Sequence, residues 1–164
     1  MSPSTPRYRI ASPVGVIADT HGLLRDEALA LMEGCELILH LGDVGAKEED
    51  LAILERLATL APVLCVRGNI DNATWAEQLP LHQDVVVNDR RLHLVHRLVD
   101  FDPATPCDVV LHGHSHKPRN EQHDGRLLFN PGAAGKRRFK LPLTVGKLWV
   151  GQDGVCGAIM HLPL

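Results

Sequence analysis

The sequence predicts an α/β fold, a four-layer αββα sandwich of two mixed β-sheets flanked by helices. In the first half of the chain, short apolar runs alternate with segments of helical spacing, which is the β-α-β-α-β order of a parallel sheet. In the second half, apolar runs follow one another closely and are separated by turn-forming residues, which indicates antiparallel strands. We expect one domain over residues 13–164, preceded by a disordered tail over residues 1–12.

Three strands and two helices are expected in the first half. Apolar residues recur at helical spacing over 24–32, which predicts the first helix. They recur in the same way over 46–60, and the acidic run 48–50 lies where a helix dipole favours carboxylates. Uninterrupted apolar runs predict strands at 14–18, 37–41 and 63–66.

The second half is expected to be mostly strand. Residues 84–88 and 91–95 form a predicted hairpin that turns at Asn88, Asp89 and Arg90. A second hairpin is predicted to turn at the GQDG segment, residues 151–154. Further apolar runs predict strands at 109–112, 127–129, 143–150 and 155–161.

Composition disfavours several functional classes. The chain has 164 residues, of which 45% are hydrophobic and 23% charged, as in ordinary globular proteins. Its formal net charge of -3 argues against stable nucleic-acid binding, because surfaces that bind nucleic acid are usually basic. No apolar run is long enough to predict a membrane span. The four cysteines form no CxxC pair and are expected to be reduced thiols, which favours a cytoplasmic protein.

Polar residues follow the predicted strands in a regular way. Ligand sites in parallel α/β sheets lie beyond the carboxyl ends of the strands, so we expect these side chains to converge at one rim. His114 and His116 are two residues apart, as along a strand end, and are expected to point the same way. The candidate ligands are Asp19, His21, Asp43, Asn69, His96, His114 and His116.

The types of these side chains indicate which ions they would bind. Four imidazoles, two carboxylates and one amide form a nitrogen and oxygen set without thiolate, which suits Mn, Fe, Zn, Ni or Co better than calcium. Seven ligands exceed what one tetrahedral ion needs. Two divalent ions that share a carboxylate would use all seven ligands. Sites with two metal ions about 3.5–4 Å apart are typical of phosphate-ester hydrolases. Manganese is the ion that we expect first.

Six segments give the chain a specific resemblance. ADTHG, LGDVG, RGNID, VHR, GHSH and NPGAAG occur in that order between residues 18 and 135. Together they resemble the calcineurin-like metallophosphoesterase superfamily, and within it the small bacterial and archaeal phosphodiesterase branch. Each segment alone is a weak signal, whereas the ordered set at strand ends is specific.

The resemblance implies a role for each ligand. A hydroxide that bridges the two ions would attack the phosphorus of a small phosphate diester, with Asp43, Asn69 and His114 acting most directly in catalysis. The implied ligands are Asp19, His21 and His116 for the first ion, Asn69, His96 and His114 for the second, and Asp43 as the bridge.

Three positions depart from the family pattern: Ile70, Arg97 and Ala133, the last of which stands where serine is commoner. Many members carry a histidine after the asparagine as the leaving-group acid, but this chain has Ile70, which favours diesters with good leaving groups. Asp71 is a candidate auxiliary donor, the alternative being a cap for a helix over 73–78. Arg97 stands where glycine is usual, and either contacts a substrate phosphate or points to solvent. Asn130, in the last segment, is expected to orient a ligand.

Two alternative functions stay open. The same site would also suit a phosphomonoesterase or nucleotide phosphatase. The superfamily further includes a subunit of the retromer sorting coat that serves mainly as a partner-binding scaffold, so a non-catalytic metal-binding scaffold is the other alternative. All seven ligand positions are kept, which favours catalysis. Whether the protein forms a homo-oligomer is not determined by the sequence.

Overall fold

Eleven strands form two sheets in the computed structural model, which describes residues 4–164. The five-stranded sheet contains β2 (Val14–Ile17), β3 (Leu37–His40), β4 (Val63–Cys65), β10 (Thr144–Gly151) and β11 (Gly154–His161). The six-stranded sheet contains β1 (Arg7–Tyr8), β5 (His82–Val87), β6 (Arg90–Val95), β7 (Val109–Leu111), β8 (Arg119–His123) and β9 (Arg126–Asn130).

Both sheets are mixed, as predicted. The strand order of the five-stranded sheet is β11-β10-β2-β3-β4, in which β2, β3 and β4 are parallel and β10 runs antiparallel to its neighbours. The order of the six-stranded sheet is β1-β5-β6-β7-β9-β8, in which β6, β7 and β9 are parallel. The parallel strands of each sheet therefore direct their carboxyl ends toward one rim of the sandwich.

The core lies between the sheets and continues beneath two helices. Val16, Leu39, Leu94, Leu111 and Phe129 are fully buried in the cluster that joins the two inner faces. The central strands also pack their opposite side chains against the helices, so they are apolar on both faces. This double burial explains why they appear in the sequence as uninterrupted apolar runs rather than as an alternating pattern.

The helices cover one outer face of the sandwich. The helices α1 (Asp26–Leu31) and α2 (Leu51–Ala58) pack on the five-stranded sheet, and a 3-10 turn at Glu48–Asp50 precedes α2. On the six-stranded sheet, the 3-10 turn Leu98–Asp100 and the loop after it take the place of the predicted outer helical layer. A further 3-10 turn lies at Thr74–Gln78. No helix within residues 4–164 has the length and apolar character needed to cross a bilayer.

The structure corrects several predicted boundaries. The tail predicted over 1–12 is paired at Arg7–Tyr8, because the edge of β5 offers its backbone groups there; residues 1–3 lie outside the described residues. The first hairpin turns at Asn88 and Asp89 alone, both with positive φ, so Arg90 is already in β6. The strand β8 is polar and mostly exposed, and so lacked the apolar pattern by which the others were predicted.

Candidate metal centre

The carboxyl ends of five parallel strands from both sheets bring all seven candidate ligands to one rim. The connecting loops are joined by backbone hydrogen bonds, including Asp19 N–H to Gly42 O at 3.0 Å and His21 N–H to Asp43 O at 2.9 Å. In chain order, Asp19 and His21 follow β2, Asp43 follows β3, Asn69 follows β4, His96 follows β6, and His114 and His116 follow β7.

Asp19, His21 and His116 form a first ligand group. One ligand atom from each lies within 4.8 Å of the others. Asp19 Oδ1 is 3.9 Å from His21 Nε2 and 3.7 Å from His116 Nε2, which is too long for hydrogen bonds. The three side chains therefore surround a common point rather than pairing with one another.

Asp43, His96, His114 and Asn69 form a second ligand group. The ligand atoms of the first three lie within 4.8 Å of one another. Asn69 Oδ1 is 3.0 Å from His96 Nε2 and 3.2 Å from His114 Nδ1, so the amide oxygen belongs to the same group. His96 Nδ1–H donates to Leu41 O at 2.7 Å, which leaves Nε2 as the atom that faces Asp43.

The two groups meet at Asp43. Its Oδ2 lies 3.4 Å from His21 Nε2 in the first group and 3.3 Å from His96 Nε2 in the second. Its Oδ1 accepts the N–H of Ile70 at 3.0 Å, which fixes the orientation of the carboxylate. Asp43 is therefore the side chain that lies against both groups.

Unpaired polar atoms show that the first group fits a cation. Two ligand atoms of this group, Asp19 Oδ1 and His21 Nε2, are buried without a hydrogen-bond partner in the part of the chain that the structure describes. Leaving such groups unsatisfied costs about 1–3 kcal/mol each, so a partner is expected. Converging carboxylate oxygen and imidazole nitrogen are the ligands that first-row divalent ions prefer, and so the residues fit such an ion.

Burial shifts the pKa values of the ligands. Burial raises the pKa of Asp19 to about 7 and lowers that of His116 to about 4, because the floor of the site is closed to water. Burial opposes ionisation of Asp43 as well, but the His21 and His96 rings outweigh it and hold its pKa well below the ordinary value. A cation at these groups would favour the ligating form of all of them.

The ligands occupy an unusual backbone conformation. A positive φ is uncommon for residues other than glycine, and such residues cluster at functional sites. His114 and His116 lie beyond the end of the strand at Leu111, so they do not alternate along it, and each joins a different group. The ligands with positive φ are Asp19 (53°), His21 (48°), Asp43 (55°), His114 (71°) and His116 (63°).

His40 joins two of the ligand-bearing loops from beneath. It is fully buried, its Nδ1 accepts Gly42 N–H at 3.1 Å, and its Nε2 lies 3.1 Å from Thr20 Oγ1. The hydroxyl of Thr20 donates onward to Val44 O at 2.8 Å. This places the Nε2 hydrogen on the bond to Thr20 and ties the loop after β2 to the loop after β3.

Asp71 and Asn130 support the site from within. Asp71 is fully buried, and its carboxylate accepts N–H groups of Asp43, Gly45 and Gly68 at 2.7–3.2 Å. That placement is incompatible with the auxiliary proton-donor role and the helix-cap role suggested for it. Asn130, as expected, orients a ligand loop: its Nδ2 donates to Gly113 O at 3.2 Å.

Arg97 pairs with a neighbouring carboxylate, and Asp19 and Asp43 do not act as helix caps. Arg97 forms a two-point ion pair with Asp100, with N–O distances of 3.0 and 3.3 Å, at the edge of a groove beside the second group. Its φ of -111° is ordinary, so this position does not need the usual glycine. Asp19 and Asp43 precede the two helices in the chain but cap neither, since Arg25 is the N-cap of α1 and Lys47 that of the 3-10 turn before α2.

Comparison with known proteins agrees with this geometry. The family model described as the calcineurin-like phosphoesterase superfamily domain matches residues 13–153. A probable metallophosphoesterase of Methanothermobacter thermautotrophicus is 32% identical over 146 residues, covering 79% of this chain and 81% of the archaeal protein. The phosphodiesterase YfcE of Escherichia coli K12 is 31% identical over 156 residues, covering 80% of this chain and 84% of that protein.

Solved structures match the fold. The structure of the phosphoesterase YfcE from E. coli superposes with a TM-score of 0.68 at 25% identity, covering 92% of this chain and 99% of that chain. Vps29 of Entamoeba histolytica, crystallised with Zn²⁺, gives a TM-score of 0.66 at 18% identity and covers 92% of this chain and 99% of its own, which shows the fold alone. The chain therefore belongs to the calcineurin-like phosphoesterase superfamily, which confirms the predicted class of metal-dependent phosphoric ester hydrolase.

Proposed function

We propose that this phosphoesterase hydrolyses phosphate diesters with two divalent ions, one at each ligand group, that share Asp43. The observation that carries the proposal is the pair of 3.3–3.4 Å distances from Asp43 Oδ2 to His21 and His96. When bound, such a pair of ions supplies Lewis acidity and activates water for attack on phosphorus. Manganese is the ion we propose first, with Fe, Ni, Co or Zn as alternatives.

The exposure of the ligand side chains and the residue next to Asn69 determine where a substrate binds and how its leaving group departs. Asp19, His96 and His116 form a buried floor, whereas Asn69 and His114 are exposed, where a substrate phosphate would approach. Ile70, next to Asn69, has no proton to donate. A leaving group must therefore depart unprotonated or take its proton from another part of the site, which supports substrates whose leaving groups are good.

A matched pair of aryl substrates tests the proposal. The protein reconstituted with Mn²⁺ is expected to hydrolyse bis(p-nitrophenyl) phosphate faster than p-nitrophenyl phosphate, which has the same leaving group. His114→Ala should lower kcat by at least the 10- to 100-fold seen when supporting residues of metal sites are removed. His123→Gln, on the exposed strand β8, is the matched control and should keep full activity.

Each other result has a definite meaning. A clear preference for the monoester would favour the phosphomonoesterase or nucleotide phosphatase alternative on the same site. Turnover of neither ester with Mn, Ni, Co, Zn or Mg, in a folded protein, would favour the scaffold alternative. Equal activity of wild type and His114→Ala would show that the second ligand group takes no part in the reaction.

A further inference from the structure

Three hydrogen-bonded side chains lead from the outer face of the six-stranded sheet to a groove beside the second ligand group. Asp84 and His93 lie directly opposite each other on β5 and β6, and His82 lies two residues before Asp84. His93 Nδ1 is 2.8 Å from Asp84 Oδ1, and His93 Nε2 is 3.0 Å from His82 Nδ1. We call these residues the Asp84–His93–His82 chain.

The order of donors and acceptors in this chain follows from the carboxylate. An ionised carboxylate only accepts, so His93 donates its Nδ1–H to Asp84. The Nε2 of a neutral His93 then accepts, and His82 donates its Nδ1–H to it. His82 Nε2 makes no hydrogen bond to any residue in 4–164, so it is the atom of the chain left for another partner.

Packing holds the middle of the chain and exposes its end. His93 is 6% exposed, and its ring centroid lies 5.2 Å from that of His82 and 5.3 Å from that of Phe101. The Arg126 guanidinium covers Phe101 at 5.2 Å from the ring centroid. His82 is exposed, and its hydrogen bond to the buried His93 orients its ring.

The groove connects this exposed histidine to the candidate metal centre. It has a volume of about 700 Å³, and its wall includes His82 together with Asn69 and His96 of the second ligand group. Arg97 and Asp100, paired with each other, line it as well. A phosphate bound at the ligand groups would extend one ester substituent into this groove.

We propose that His82 donates a proton from Nε2 to the leaving-group oxygen, and that Asp84 and His93 act as positioning residues for it; this rests on the proposed function. As the P–O bond breaks, its electron pair stays on the leaving oxygen, which takes the proton. His82 is left neutral with its remaining hydrogen on Nδ1, and it regains a proton from water. The protonated His82 ring is positively charged. Two carboxylates stabilise that charge: Asp84, which is linked to His82 through His93, and Asp100, which lies across the groove.

Two diaryl phosphates of different leaving-group acidity test this role. On diphenyl phosphate, whose phenol is the poorer leaving group, His82→Gln should lower kcat by about 10²-fold, the lower range of general acid catalysis, and by only a few-fold on bis(p-nitrophenyl) phosphate. Asp84→Asn should show a smaller loss with the same dependence on leaving group. His123→Gln should leave both rates unchanged.

The outcomes separate the two proposals. An equal loss on both esters, or no loss, in His82→Gln would overturn the role of His82 while leaving the proposed function intact. Absence of wild-type turnover on both esters would overturn the proposed function and this inference with it.

The protonation pattern provides a second, activity-independent test. Long-range ¹H–¹⁵N NMR of the wild type should show His93 protonated at Nδ1 and neutral His82 protonated at Nδ1, with the second signal altered in His93→Gln. A His82 ring protonated only at Nε2 would break the chain as drawn and overturn the inference.

Discussion

His21 and His96 belong to different ligand groups, yet their Nε2 atoms lie 3.4 and 3.3 Å from the same oxygen, Asp43 Oδ2. His21 follows a strand of one sheet and His96 follows a strand of the other. The shared carboxylate therefore lies where the two sheets meet. Correct packing of the sheets against each other is thus a condition for assembling the site, because neither sheet alone carries a complete set of ligands.

Asp71→Asn should weaken both the fold and the site. Asp71 Oδ2 accepts the N–H groups of Asp43 and Gly68, and Oδ1 accepts that of Gly45. Both oxygens of Asp71 accept hydrogen bonds, so an asparagine places its NH₂ group next to at least one N–H donor. That donor then loses its acceptor, which costs about 1–3 kcal/mol. Urea unfolding measures the loss, and kcat should fall with it. Wild-type stability in this variant would show that the three bonds contribute little.

Gly68→Ala should disturb the ligand loops through a steric clash. A Cβ at Gly68 would overlap the backbone nitrogen and Oδ1 of Asp43. Relieving such an overlap costs about 1–3 kcal/mol and would move the shared carboxylate. Gly151→Ala is the matched control, because a Cβ there meets no atom within 4 Å. Denaturant unfolding and turnover of both variants should separate them; equal behaviour would contradict the close approach seen at Gly68.

Buried His40 should make stability depend on pH. Burial lowers its pKa to about 3, against an ordinary value of 6.5, so the unfolded chain binds a proton there that the folded protein does not. The stability that comes from keeping His40 neutral is fully present above pH 6.5 and is lost as the pH falls toward 3. Over that range the free energy of unfolding should fall by up to about 1.4 kcal/mol per pH unit.

Other groups titrate in the same pH range, so the variant His40→Gln is needed to separate the contribution of His40 to the pH dependence of stability. Unfolding free energies of wild type and variant, measured by urea between pH 7 and pH 4, should differ by an amount that shrinks as the pH falls. Parallel curves for the two proteins would show that His40 is not the neutral, buried base described.

Much of the site could be predicted because each ligand lies in or at the start of the loop that follows an apolar strand. Asp19 and Asp43 stand at the ends of runs that are buried on both faces, and parallel topology brings such ends together. The division of His114 and His116 between the two groups was implied by the family resemblance but could not be derived from strand periodicity, since it depends on left-handed backbone at non-glycine residues. The role of Asp71 was missed for a similar reason: which way a side chain points in a loop depends on the path of that loop.

The Asp84–His93–His82 chain had a usable signal in the sequence. A two-residue turn at Asn88 and Asp89 sets the register in which Asp84 faces His93. The prediction placed Arg90 in the turn, which shifts the register by one residue and sends these side chains to opposite faces. The outer face of this sheet is covered by a 3-10 turn and a loop, which lack helical periodicity and so leave no pattern in the sequence.

The number of ions bound per chain tests the account most directly. Protein stripped with chelator, reconstituted with Mn²⁺ and freed of excess metal is analysed by plasma mass spectrometry, beside Asp43→Ala and the His123→Gln control. Wild type and control should bind close to two ions per chain, as a two-metal site requires. Asp43→Ala, which loses the shared carboxylate, should bind fewer. One ion or none in the folded wild type, or two ions in Asp43→Ala, would contradict a site built around Asp43.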